Sequence, residues 1–155
     1  MNGSPAPRID AFLDAHHVMT LATVGERGPW AAAVFYAPER TPAGRALVFL
    51  SSPRSRHAED LARDPRVAVT IQRDYDDWPE ITGVQAEGRV ERVDGDSRER
   101  LRALYAQRFP RVASAPGRVA EALARVHWYR FVPARMYLID NRLGFGHRDE
   151  IDCGG

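Results

Sequence analysis

The chain has 155 residues, with 22 basic side chains against 21 acidic ones and a formal net charge of +1. This length suits a single domain, and the balanced charge gives no bulk attraction to nucleic acid or to an anionic membrane. Every basic residue is arginine, which excludes a Schiff-base lysine and a phosphate-loop lysine. No apolar run approaches about 20 residues and no apolar signal core is present, so we expect one cytoplasmic domain over residues 1–155.

Metal-binding side chains are sparse. Cys153 is the single cysteine, so it has no partner for an internal disulfide or a cysteine cluster. His16 and His17 are adjacent, and neighbouring side chains on one element point in different directions. We therefore expect no metal site.

Apolar periodicity predicts a β-rich α+β domain. Residues 1–7 are small, polar and proline-containing, and we expect them to be disordered. Helical spacing predicts helices at 9–17, 58–63, 96–109 and 119–126. Alternating or continuous apolar runs predict strands at 18–24, 30–36, 46–50, 67–72, 81–93 and 127–140. The turn at 25–28 joins the first two strands, 38–44 is expected to be a loop, and the six strands favour a barrel.

The segment between the third strand and the second helix has the chemistry of an anion site. Hydroxyls and free backbone N–H groups at a helix start meet two guanidiniums and an imidazole, from Arg54, Arg56 and His57, and this combination favours a phosphate. The alternative is a solvated helix cap with surface arginines. We call this segment the anion cradle, and its residues are Ser51, Ser52, Ser55, Arg56 and His57.

Three other positions could contact a flat ligand. Alanines at 31–33 are unusual in a strand, and small side chains let a planar group approach the backbone, although close packing is the alternative. Gln85 could donate to and accept from a heterocycle edge, or simply face solvent. Gly144 and Gly146 flank Phe145, which could fold over a ligand or over a partner subunit.

On these motifs the chain resembles the FMN-binding split β-barrel superfamily of pyridoxamine 5′-phosphate oxidase. The matching order is a small-residue strand, then FLSSPRSRHAEDLARDPRV, then a strand reading GVQAEGRVERV. The chain resembles more narrowly the branch known as the YhbP-like proteins in three segments: the strand GVQAEGRVERV, the segment YAQRFP and the tail DNRLGFGHR. The resemblance implies a mainly β, α+β fold: a six-stranded antiparallel split barrel of Greek-key type with short flanking helices.

The resemblance also implies a homodimer with FMN in the groove between two barrels. Such a protein would be an oxidoreductase of unknown substrate, acting on a small molecule or accepting electrons from NAD(P)H. The segment that holds the flavin phosphate in relatives matches Ser51, Ser55, Arg56 and His57, with His57 in place of the usual lysine.

Relatives place further residues on the flavin ring. The strand that runs along the ring matches Ala32, Ala33, Val34 and Phe35. Gln85 matches a position that reaches the ring from the same or the other subunit. The tail at 141–155, with Asn141 and Phe145, falls where relatives cover the ring or the dimer groove from the neighbouring chain.

Other functions stay open at the level of sequence. The tail lacks the arginine-rich, histidine-containing segment of the vitamin B6 oxidases, so we do not expect pyridoxamine phosphate oxidase activity itself. Some split barrels bind or degrade haem, and His17, His127 or His147 could be the axial ligand. A deazaflavin in place of FMN, a non-catalytic flavin-binding module and a dimer without cofactor are the remaining alternatives. We also expect Tyr36, His147 and Arg148 to be worth testing as substrate contacts.

Overall fold

The computed structural model describes residues 3–154 as one antiparallel sheet of eight strands with short helices packed against it. The strands are β1 (Val18–Gly25), β2 (Gly28–Phe35), β3 (Ala37–Thr41), β4 (Gly44–Ser51), β5 (Arg66–Gln72), β6 (Thr82–Val93), β7 (His127–Asp140) and β8 (Arg148–Asp152). The helices are α1 (Ala6–Ala15), α2 (Arg56–Arg63), α3 (Asp96–Arg108), α4 (Pro110–Ala113) and α5 (Arg118–Ala124). Short 3₁₀ turns lie at Trp78–Glu80 and Asn141–Leu143. Across residues 3–154, no helix has the length and apolar character needed to cross a membrane.

The strand order closes the sheet into a split barrel. Strands are hydrogen-bonded in the order β2-β1-β5-β6-β7-β4-β3, with β8 also paired to β7. β2 and β3 stand at opposite ends of this order, yet only Tyr36 separates them in the chain. The sheet must therefore curl until its two ends meet. Tyr36 lies at this junction with no exposed surface, and its hydroxyl donates to the Leu13 carbonyl of α1 at 2.8 Å.

β7 is the strand that joins the two parts of the sheet. On one side it pairs with β6 from Trp128 to Asp140, with one irregularity in the register. On its other side, residues 127–131 pair with β4 and residues 135–139 pair with β8.

The core lies on the concave face of the barrel. Alternating residues of the strands point inward and bury aliphatic and aromatic side chains, and α1 covers one end with Ile9 and Leu13. A second apolar cluster lies under α3 on the other face, where Leu101 and Tyr105 pack against Val48 and Trp128.

The predicted class is confirmed as mainly antiparallel β with short helices, but the predicted count of six strands is wrong. β3 was expected to be a loop because APERT is polar and contains proline. It pairs as an end strand, and its Glu39 is held by Arg130 of β7 through two hydrogen bonds at 2.6 and 3.1 Å. β8 lies within the predicted tail at 141–155; its sequence RDEID is mostly charged and gives no strand signal, yet it pairs with β7.

The N-terminal prediction also needs correction. Residues 1–7 were expected to be disordered, but α1 begins at Ala6. Proline is tolerated in the first helical turn, where a missing N–H removes no intrahelical bond, so the prolines there are compatible with a helix start. Residues 1 and 2 lie outside the described part of the chain.

Candidate functional site

The anion cradle forms where β4 ends and α2 begins. Ser55 is the N-cap of α2, and its hydroxyl accepts from the Ala58 N–H at 3.3 Å. Ser51, the last residue of β4, lies with its hydroxyl oxygen 2.9 Å from that of Ser55 and 2.6 Å from His57 Nε2. The Ser55 hydroxyl also donates to the Ser52 carbonyl at 2.8 Å. Two hydroxyls and one imidazole are therefore gathered at a helix N-terminus.

His57 is buried within this cluster. Only 8% of its surface is exposed, and burial lowers the pKa of the imidazole from its ordinary value, while the charge of Asp60 acts in the opposite direction. Asp60 is itself buried and accepts a hydrogen bond from the Thr23 hydroxyl at 2.9 Å. At neutral pH the imidazole is therefore mainly uncharged in the free protein.

Arg56 lies beside the cradle and faces β2. Its guanidinium carbon lies 4.4 Å from the centre of the Trp30 ring, and one terminal nitrogen donates to the Arg27 carbonyl at 3.0 Å. The Arg56 Nε is buried and has no hydrogen-bond partner among the described residues. An unpaired N–H on a charged side chain costs free energy, which a ligand oxygen would recover.

The predicted ring-binding strand is β2, at one end of the sheet order. Ala32 and Val34 point toward the barrel interior and are partly buried, whereas Ala33 and Phe35 lie on the outer face and are exposed. Phe35 has 56% of its surface exposed although its ring meets the Phe109 ring edge to face, with ring centres 5.4 Å apart.

The outer face of the sheet carries Gln85. Cross-strand pairing places Ala33, Thr20, Thr70, Gln85 and Tyr137 in one row. A shallow cavity of about 320 Å³ follows this row, and Arg148 stacks over the Tyr137 ring at 3.7 Å beside it. Because strands are about 4.8 Å apart, Gln85 lies about 14 Å from Ala33 along the sheet.

The tail around Phe145 is held in a defined turn. Asn141 donates from its amide nitrogen to the Trp78 carbonyl at 2.9 Å and accepts from the Gly146 N–H at 3.0 Å. Phe145 stacks on Trp78 with ring centres 5.7 Å apart and keeps 82% of its surface exposed. Asn141 thus positions the turn, and Trp78 and Phe145 form an exposed aromatic pair.

The predicted site residues fall into three separate groups within one chain. The first group is the anion cradle: Ser51, Ser52, Ser55, Arg56 and His57. Arg56 connects this group to the start of β2 through its contact with Trp30. Gln85 lies on the outer face, away from the inward-facing Ser51 and His57. Asn141 and Phe145 form the third group.

The sequence did not predict two aromatic contacts at these groups. The first is the contact of Arg56 with Trp30, for which the sequence offered one signal: a single aromatic residue directly before the alanines of β2. Trp78 is 67 positions from Phe145, and no local pattern joins them. Tyr36 is completely buried, so the expectation that it contacts a substrate is wrong.

The candidate histidines have different surroundings. His17 is exposed at the start of β1, next to the Phe109 ring. His147 Nε2 lies 3.2 Å from an Asp149 carboxylate oxygen. His127 pairs across the strands with Ser51, and burial lowers its pKa. Within residues 3–154, no group of three or more histidine, cysteine, aspartate or glutamate side chains is placed to hold a metal.

Known proteins resemble this chain over most of its length. A UPF0306 protein from Enterobacter sp. strain 638 is 32% identical over 142 residues, which cover 90% of this chain and 91% of that protein. A conserved hypothetical protein from Mycobacterium tuberculosis has a similar structure, with a TM-score of 0.72 at 27% identity over 95% of this chain and 91% of that one. A heme binding protein from Mycobacterium smegmatis gives a TM-score of 0.76 at 24% identity, over 99% of this chain and 60% of that one.

The match to a family model agrees with the fold. The model described as pyridoxamine 5′-phosphate oxidase matches residues 6–140, which run from the first residue of α1 to the last residue of β7. With its UPF0306 relatives and its split barrel, the chain belongs to the pyridoxamine 5′-phosphate oxidase family.

Proposed function

We propose that the protein binds FMN as a homodimer and acts as an oxidoreductase on a small molecule, with NAD(P)H as a possible electron donor. The observation that carries the proposal is the cluster of Ser51, Ser55 and His57 at the N-terminus of α2. Hydroxyl donors, an imidazole and the positive end of a helix dipole together suit the dianionic phosphate of FMN.

The donors of the cradle fit a phosphate. The backbone N–H groups of Arg56 and His57 open α2 and form no hydrogen bond with other described residues. Arg56 Nε is unpaired as well. The Ser51 hydroxyl bonds to Ser55 and His57, and the Ser55 hydroxyl also donates to the Ser52 carbonyl and accepts from the Ala58 N–H. A phosphate could accept from these groups without a large rearrangement of β4 or α2.

A second copy of the chain would complete the ring site. The outer face exposes Ala22, Ala31, Ala33 and Ala68, with Val18 and Phe35 at one side. Small side chains allow close approach of a flat ring, and the exposed apolar surface favours a partner subunit. Gln85 and the Trp78–Phe145 pair are far from the cradle of their own chain, so in this proposal they act on the ring held by the partner.

The chain's own residues position the cofactor and exclude water. When bound, FMN would supply the ring that exchanges electrons with a substrate. Arg56 and a protonated His57 would balance the phosphate charge. Arg148 lies over Tyr137 beside Gln85 and would attract an anionic substrate or donor to the outer cavity.

The visible spectrum of the purified protein, before and after FMN addition and desalting, tests the proposal. We expect retained flavin absorbance in the unaltered chain. Arg56→Gln should weaken FMN binding about thirtyfold, because a lost charge-assisted hydrogen bond costs about 2 kcal/mol. Arg118→Gln is the matched control, since Arg118 is exposed at the start of α5, far from the cradle in sequence. Flavin that washes out of the unaltered protein would contradict the proposal.

The same sample separates an enzyme from a flavin-binding module. Bound FMN that loses its visible absorbance on addition of NADH or NADPH supports the oxidoreductase. Bound FMN that only dithionite reduces supports the non-catalytic module.

Haem is a second candidate ligand. The heme binding protein from Mycobacterium smegmatis shares the fold over 99% of this chain. His17 is the most exposed of the three candidate axial ligands, whereas His147 is next to Asp149 and His127 is partly buried. Haem titration should then give a Soret band that His17→Ala shifts or removes, and the absence of any Soret band would dismiss this candidate.

A further inference from the structure

A groove between the helices is separate from the anion cradle and from the outer face. It lies between α3, α4 and α5, and Trp128 of β7 forms its floor. Its volume is about 330 Å³, which is within the range of small-molecule sites. We call it the helical groove; its lining residues that matter below are Arg98, Arg102, Tyr105, Leu123, Ala124 and Trp128.

The apolar wall of the helical groove is incompletely covered. α5 has the sequence RVAEALA, rich in apolar residues, yet none of its residues is buried. Leu123 and Ala124 face the groove, and Val119 of the same helix keeps 54% of its surface exposed. A short helix normally gains stability by burying an apolar face. The apolar face of α5 is therefore available for contact with a ligand.

The rim of the helical groove is positively charged. Arg98 and Arg102 are one turn apart on α3 and have no ion-pair partner among the described residues, whereas nearby Arg92 and Arg100 are paired with carboxylates. No acidic side chain lines the groove; the nearest acidic residues of these elements in sequence, Glu99 and Glu121, lie outside its lining.

The floor is aromatic and includes the Tyr105 hydroxyl. Tyr105 and Trp128 have exposed fractions of 4% and 5% and meet edge to face, with ring centres 5.4 Å apart. Burial raises the pKa of Tyr105 to about 12, so its hydroxyl stays protonated and can donate. That hydroxyl forms no hydrogen bond with other residues in the described part of the chain.

We propose that the helical groove binds a small organic anion with an aromatic body, whose acidic group lies between Arg98 and Arg102 and whose ring lies on Tyr105 and Trp128. The two unpaired guanidiniums match a carboxylate, sulfonate or phosphate, and the alanine-rich wall leaves room for a planar ring. Binding would bury the apolar face of α5.

A matched pair of fluorescent probes tests the proposal. 8-Anilinonaphthalene-1-sulfonate carries an aromatic body and one sulfonate, and N-phenyl-1-naphthylamine has the same body without the charge. We expect one sulfonate probe per chain, bound more tightly than the neutral probe, whether or not FMN has been added. In a Trp30→Phe, Trp78→Phe background, Trp128 is the single tryptophan of the chain and should transfer energy to the bound probe.

Substitutions locate the probe. Arg98→Gln and Arg102→Gln should each weaken sulfonate binding about tenfold, equivalent to about 1.4 kcal/mol, and leave the neutral probe unchanged. Arg98→Lys should restore part of the affinity. Arg111→Gln on α4 is the control, because Arg111 is exposed and lies outside the groove. Ala124→Trp should block both probes by filling the groove.

Three results would overturn the proposal. The first is a sulfonate affinity that neither arginine substitution changes. The second is equal affinity for the two probes, which would make the groove merely apolar. The third is loss of sulfonate binding in Phe145→Ser, which would place the probe on the exposed Trp78–Phe145 pair.

Discussion

His57 gives the anion cradle a charge that depends on pH. A lysine at this position would remain protonated through the physiological range, because its ordinary pKa is about 10.4. The buried imidazole has a lowered pKa and is hydrogen-bonded to Ser51 and Ser55. The folded state favours the neutral imidazole. The neutral imidazole therefore contributes to the free energy of unfolding above about pH 6.5, and this contribution is lost as the pH falls through the lower pKa that His57 has in the folded state.

Phosphate binding should have the opposite pH dependence. A dianion next to His57 favours the protonated imidazole, so FMN binding should take up a proton. We expect the affinity to fall as the pH rises above the lowered pKa of His57 in the free protein, by at most about tenfold per pH unit. Calorimetric titration in buffers of different ionisation enthalpy counts the proton directly.

Two variants make this prediction specific to His57. His57→Lys should bind FMN with little pH dependence, and His57→Gln should bind weakly at every pH. His17→Gln, an exposed histidine elsewhere, should behave as the unaltered chain. The same pH slope in His57→Gln and in the unaltered protein would exclude His57 as the titrating group.

At the scale of elements, β6 is irregular at one of its two glycines. The register between β6 and β7 shifts between Glu87 and Gly88, and a glycine inside a strand is typical of such a bulge. A Cβ atom at Gly88 would lie 2.2 Å from the Val132 carbonyl oxygen, which no relaxed backbone accommodates. At Gly83, the corresponding atom would lie 3.1 Å from the Ile71 carbonyl oxygen.

Gly88→Ala should therefore destabilise the fold far more than Gly83→Ala. We expect a loss of about 3 kcal/mol in the free energy of unfolding for Gly88→Ala and about 1 kcal/mol or less for Gly83→Ala. Denaturant unfolding monitored by circular dichroism measures both. Equal losses would mean that the bulge relaxes without strain.

Elements with strong periodicity were predictable, and elements held by charge were not. Runs such as residues 46–50 and 67–72 alternate or stay apolar because they face the core, so their period reveals them. β3 and β8 are polar, and their pairing depends on distant partners: Glu39 bonds Arg130, and β8 needs the second half of β7. No local pattern contains those partners.

The candidate site shows the same division. The cradle was predictable because its residues are consecutive around one helix start. The aromatic contacts of Arg56 with Trp30 and of Phe145 with Trp78 were not, because the fold joins segments that are far apart in sequence.

At the scale of the whole molecule, the outer face determines whether the proposed site can be completed. Ala68 lies in the middle of this face, on β5 beside β1. Ala68→Arg should place a charge in the proposed dimer contact, give monomers in sedimentation velocity at micromolar concentration and weaken FMN retention. Ala43→Arg, in the exposed turn between β3 and β4, is the matched control. A dimer that persists in Ala68→Arg would place the interface elsewhere.

The position of β7 late in the chain has a consequence during synthesis. Without β7 the strand order divides into two fragments, β2-β1-β5-β6 and β4-β3, each with an open edge. Ser51 of β4 pairs with His127, which is synthesised about 75 residues later. A ribosome that adds about 5–20 residues per second needs about 4–15 s for this stretch. For that time the nascent chain exposes two unpaired strand edges, which are templates for aggregation. A chain that stops at residue 126 should therefore elute as aggregates in size-exclusion chromatography, and the full chain should not.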